Sequence, residues 1–174
     1  MIQPASAPAP TPSGPTAAQI AEAKNRAVTR SGARWFYWIA GLSIVNSLLF
    51  ITGAKLTFLV GLGVADAANS IAQTTSKDGS GLVIALVFDV LVASGFVGLA
   101  YMAEKAVQWA FVVGLIVYGL DAVLLVWAAD WPSVAFHGLA LYFIYRGFQA
   151  CRALPAGAAS SRVPPGMAPP IVPR

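Results

Sequence analysis

Residues 81–101, GLVIALVFDVLVASGFVGLAY, and 108–128, QWAFVVGLIVYGLDAVLLVWA, decide the fold class. Each is close to the roughly 20 residues that carry an α-helix across a bilayer core. Each holds a single charged side chain, Asp89 in the first and Asp121 in the second. The short polar segment between them, MAEKAV at 102–107, leaves room only for a turn, so the two stretches are antiparallel neighbours. Two further stretches have the same character: 35–53, WFYWIAGLSIVNSLLFITG, and 132–150, PSVAFHGLALYFIYRGFQA. Four such spans predict an all-α integral membrane protein, an antiparallel four-helix transmembrane bundle. Trp35, Tyr37, Trp38, Tyr101, Trp109, Trp127 and Trp131 mark the span edges, where amphipathic rings sit at headgroup level.

Composition agrees. Of 174 residues 57% are apolar and 10% charged, and mean hydropathy is +0.70, whereas a soluble domain carries about 25% charged residues. One Cys and one His exclude an internal disulfide and a zinc centre with several such ligands. No phosphate-cradling loop, haem motif or dinucleotide fingerprint occurs, so neither a cofactor nor a metal is expected. Neither Ser43 nor Ser47 sits in a nucleophile motif. Tyr118-Gly119-Leu120-Asp121 matches the Gly-x-Gly-Asp motif of intramembrane aspartyl proteases only in part, and the chain has no Pro-Ala-Leu segment. No catalytic residue is expected; the chain reads as a non-enzyme.

Outside the spans, eleven of the twelve prolines fall within 4–15 or 155–173. Residues 1–15 and 153–174 are accordingly expected to be disordered tails. Residues 16–34 read as a basic cytoplasmic helix, opened by a capping box of Thr16 with Gln19. Glu22, Arg26, Arg30 and Arg34 recur every four residues along one face, with Lys24 beside them. The basic residues Lys24, Arg26, Arg30 and Arg34 are suited to anionic headgroups, at about 1 kcal/mol each, or serve as a solvated face that sets topology. Nine basic residues fall on the side of the termini and of the 102–107 turn, against Lys55 and Lys77 on the other. The positive-inside rule then puts both termini in the cytoplasm, and the net charge of +4 reflects topology rather than a nucleic-acid partner. The long connection 54–80 contains the apolar run 56–65, too short to span; it reads as an outer interfacial helix, or as a re-entrant segment.

The candidate site consists of the polar residues that a span should avoid: Asn46, Asp89, Asp121 and His137, one in each span. At 1.5 Å per residue they lie at one level, roughly 3–6 Å to the outer side of mid-span. This predicts an inward-facing polar cluster, with Tyr118 a turn from Asp121 and placed to donate its hydroxyl to that carboxylate. Ala85, Asp89 and Ala93 share a face, and Ser94 with Gly98 forms a small-xxx-small pair suited to close helix contact, as Gly41 is in the first span. Such a cluster either fixes helix register through hydrogen bonds, passes or holds a proton, or holds a cation. Cys151 reads as a small apolar residue, or as a juxtamembrane acylation site.

The run Trp35-Phe-Tyr-Trp-Ile-Ala-Gly-Leu-Ser43, with Asn46-Ser47 and Phe58-Leu-Val-Gly-Leu-Gly63, resembles small bacterial four-span membrane proteins of unassigned function over about thirty residues. The resemblance implies a bacterial inner-membrane setting and supplies no activity. Two functions are expected from the sequence: a non-enzymatic accessory or interaction protein whose partners are the lipid bilayer and a second copy or another membrane protein, or an oligomeric proton- or cation-conducting unit built on the Asp/His cluster.

Overall fold

A computed structural model describes residues 14–51 and 80–155. Among these residues there are four helices and no strand: α1 (Ala17–Ile51), α2 (Ser80–Glu104), α3 (Gln108–Trp127) and α4 (Trp131–Arg152). The expected outer segment and nearly all of the two expected tails lie outside the described residues.

The capping box opens α1 as its sequence predicts: the Thr16 backbone N–H donates to Gln19 Oε1 at 2.8 Å, and the Gln19 N–H to Thr16 Oγ1 at 3.3 Å. One turn on, Arg26 pairs with Glu22 at 2.7 Å. The basic helix expected to 34 and the span expected from 35 lie on one helix, for α1 runs unbroken for 35 residues. Nothing between Ala17 and Ile51 stops it: there is no proline, and isolated glycines such as Gly32 and Gly41 weaken a helix without ending it. At 1.5 Å per residue α1 is about 52 Å long.

Both short connections use the same device. After α2, Ala106 takes a left-handed φ of 59°, its N–H bonds to the Ala103 carbonyl (3.0 Å), and the Val107 N–H to Met102 (3.1 Å). After α3, Ala129 has φ 58°, with the Ala129 N–H on Val126 (3.1 Å) and the Asp130 N–H on Leu125 (3.1 Å). These are Schellman closures built on alanine where glycine is usual. Asp130 then caps α4 by accepting from the Ser133 N–H at 3.4 Å, with Pro132 in the first turn.

Helix α1 packs against α2 on one side and α4 on the other; α3 packs against α4 and touches α2 more lightly. Aromatic rings fill the middle. Phe36 lies between Phe96 (6.2 Å) and Phe111 (6.0 Å), Phe111 reaches Phe148 (6.5 Å), and Phe96 meets Tyr118 at 6.1 Å and 81°. Trp35 stacks on Phe143 at 4.9 Å and 7°. The close helix approach is at Gly32 and Gly147, where a Cβ on Gly32 would stand 2.6 Å from the Gly147 Cα. Ser94, Gly98 and Gly41, expected to serve that role, are exposed instead, and a Cβ at Gly98 or Gly41 would meet nothing within 4 Å. They lie off the buried face of Ala85, Asp89 and Ala93, which does turn inward as the helical spacing requires.

The outward faces are apolar. Ile84, Leu91, Leu120 and Val123 are all more than 60% exposed. Two helices, Val83–Glu104 and Gln108–Trp127, are long and apolar enough to cross a membrane.

Candidate functional site

Asn46, Asp89, Asp121 and His137 are all buried, at 8%, 0%, 4% and 0% exposure. The helices bring these side chains inward through two sets of contacts.

The first joins α1 to α2. The Ser47 hydroxyl donates to Asp89 Oδ2 and lies 3.1 Å from the Ser43 carbonyl oxygen of its own helix. Ser43, Asn46 and Ser47 are all buried on this side of α1. Ser47 was not among the expected site residues. Its signal is the i, i+4 repeat of Ser43 and Ser47 inside an apolar run, with Asn46 between them on the same face.

The second set joins α3 to α4. His137 Nε2 lies 2.9 Å from Asp121 Oδ2, and His137 Nδ1 lies 2.8 Å from the Ser133 carbonyl oxygen, one turn earlier in α4. Tyr118 reaches this set with its ring rather than as the expected hydroxyl donor: it stacks on the imidazole at a centroid distance of 4.2 Å and an interplanar angle of 13°. The stack and the two ring-nitrogen contacts define the plane of His137. Because His137 engages Asp121 while Ser47 engages Asp89, the serine and the histidine face different carboxylates. Ser47 and His137 therefore do not share one carboxylate.

No group of three or more His, Cys, Asp or Glu side chains placed to hold a metal occurs among the described residues. Cys151 is buried, and its thiol donates to the Ala106 carbonyl at 3.2 Å. Burial pushes that thiol above its ordinary range.

The basic residues gather at the end opposite Asp130. Lys24, Arg30 and Arg34 are exposed along the first half of α1, and Arg26 is held by Glu22. At the same end Lys105 sits 3.9 Å from the centre of the Tyr101 ring, Arg146 lies 5.8 Å over Tyr142, and Arg152 lies 5.7 Å over Phe148. At the opposite end Trp127 and Trp131 are exposed on either side of the α3–α4 turn. No protein-family model, curated protein or solved structure matches this chain.

Proposed function

We propose that the chain is a small multi-pass membrane protein whose four helices all span the bilayer. In this reading both termini are cytoplasmic, the setting is a bacterial inner membrane, and the protein is a non-enzymatic accessory that associates with a second copy or another membrane protein. The observation that carries the functional part is the engagement of both buried acids across helix pairs. Asp89 and Asp121 each meet a partner from the neighbouring helix, and both His137 nitrogens are engaged. A relay through imidazole takes a proton at one nitrogen and releases it from the other, and a backbone carbonyl on Nδ1 blocks that exit. Polar contacts of this kind fasten helices to one another where the hydrophobic effect does not, as within lipid. The exposed apolar faces of α2 and α3 suit lipid and partner helices, and the gathering of basic and aromatic side chains at one end suits a cytoplasmic interface.

The experiment is reconstitution of the full chain into proteoliposomes containing a pH-sensitive dye. Proton flux is expected to match empty vesicles and to be unchanged by Asp89→Asn with Asp121→Asn. Flux above that background, abolished by the double substitution, overturns the accessory reading in favour of conduction. A photocrosslinker at Leu91 or Leu120 is expected to give a discrete adduct with a second copy or another membrane protein in native membranes; absence of any adduct counts against association. For topology, an impermeant thiol reagent applied from outside should label Ala128→Cys and spare Lys24→Cys, and the reverse pattern refutes the orientation.

A further inference from the structure

Counting hydrogens around His137 carries the site a step further. Nδ1 lies 2.8 Å from the Ser133 carbonyl oxygen. A carbonyl oxygen has no hydrogen to give, so Nδ1 is the donor and holds one. Nε2 lies 2.9 Å from Asp121 Oδ2. A bare Nε2 facing an ionised carboxylate would set lone pair against lone pair in a site closed to water, with His137 at 0% and Asp121 at 4% exposure. One hydrogen therefore lies between them.

We propose that Asp121 and His137 together form a one-proton site, a buried store in which a single proton is shared between Nε2 and Oδ2 and has no onward path through the ring. On nitrogen, the proton makes an imidazolium facing a carboxylate. On oxygen, it makes a carboxylic acid facing a neutral ring. Transfer between the two moves one proton along one hydrogen bond, and the pair as a whole is neutral before and after. Neither form places a net charge in the interior, which is the costly alternative for buried ions.

Two features keep the site a store. The Nδ1 hydrogen is committed to an atom of the backbone that cannot take a proton away. Exchanging the two nitrogens requires the imidazole to turn over, and that motion breaks the Ser133 and Asp121 contacts together while shearing the ring off Tyr118, which stacks on it at 4.2 Å. The imidazole consequently passes no proton from Nε2 on to Nδ1 while these contacts hold. The assignment uses only the hydrogen count at three atoms and holds independently of the membrane setting.

His137 is the single histidine of the chain, so ¹⁵N-histidine labelling of the full-length protein gives ring signals from this residue alone. In the folded protein Nδ1 is expected to carry a directly bonded hydrogen that exchanges with deuterated solvent at least about a hundredfold more slowly than in free histidine, since exchange requires local opening. Asp121→Asn removes the shared proton and is expected to move the Nε2 signal to that of a bare imidazole nitrogen. Ser133→Ala, which keeps the backbone carbonyl, is expected to leave Nδ1 unchanged. A bare Nδ1, exchange at the free rate, or an Nε2 signal indifferent to Asp121→Asn overturns the proposal. The first two outcomes are read on the unmodified protein, so the test stands even where the Asn variant fails to fold.

Discussion

Replacing Gly32 by alanine should loosen the α1–α4 contact, and the size of the effect follows from the geometry. The new Cβ would stand 2.6 Å from the Gly147 Cα and 3.0 Å from the Phe143 carbonyl oxygen. Carbon atoms in favourable contact sit about 3.5–4.0 Å apart, so the helices must part by about 1 Å at this point. Both obstructing atoms belong to the backbone of α4 and cannot swing aside. The Trp35–Phe143 stack at 4.9 Å lies in the next turn of α1 and would be pried open with them. Overpacking of this kind costs about 1–3 kcal/mol, and alanine returns about 1 kcal/mol of helix propensity, leaving a net loss of up to about 2 kcal/mol. Gly98→Ala is the matched control, because a Cβ there meets nothing within 4 Å. It should keep the propensity gain of up to about 1 kcal/mol. The two variants therefore shift stability in opposite directions, a difference easily read by far-ultraviolet circular dichroism during dodecyl sulfate titration of the protein in a mild detergent. Should Gly32→Ala stabilise the protein as Gly98→Ala does, the Gly32–Gly147 approach is not the packing contact described here.

Three further substitutions probe the site and the turns. In the same titration His137→Ala should cost about 3–5 kcal/mol by removing the imidazole that faces the buried Asp121 carboxyl, whereas Asp121→Leu with His137→Phe should cost far less; equal losses would refute the mutual dependence. Ala129→Gly should stabilise by several tenths of a kcal/mol, because φ of 58° strains alanine by more than the extra freedom of an unfolded glycine offsets, and a loss of stability would refute the Schellman assignment. Cys151 should react slowly with thiol reagents in the folded protein at neutral pH. Since burial raises its folded-state pKa, the stability this thiol contributes is complete below the unfolded thiol range and is lost as pH rises from there through the raised folded-state value, so rapid neutral-pH labelling without unfolding would contradict its placement.

The helical class, the two short turns and the burial of Asn46, Asp89, Asp121 and His137 follow from features readable one residue at a time: long apolar runs, the MAEKAV turn, and polar residues too costly to leave on an apolar face. What escaped that reading depends on which helix lies beside which. Gly32 sits between Ser31 and Ala33 in a basic stretch, and nothing local distinguishes it from the exposed Gly98; its role comes from meeting Gly147 across α1 and α4. Ser47 likewise reads as an ordinary small residue until α2 brings Asp89 against it. The unbroken length of α1 escaped for another reason. Charge and apolarity change sharply at Arg34–Trp35, and such a change marks an interface around a helix without interrupting its backbone.

The arrangement of the fastenings has a logic of its own. Where outward faces are apolar, burying a leucine against one neighbour is worth little more than against another, and helix pairing has to be specified by other means. The Ser47–Asp89 contact ties α1 to α2, and His137–Asp121 ties α3 to α4. The α1–α4 seam carries the glycine approach and the Trp35–Phe143 stack. α2 and α3, which touch more lightly than the other three neighbouring pairs, meet through Phe96 against Tyr118, and they are the two helices joined by the short turn at Lys105–Val107. Three of the four seams between neighbouring helices thus carry specifying contacts, and the seam with the lightest contact is the one whose partners the chain itself holds together. Tyr118 belongs to both halves, meeting Phe96 of α2 at a near-right angle and His137 of α4 face to face, so motion at the weak seam bears directly on the ring that holds the His137 plane.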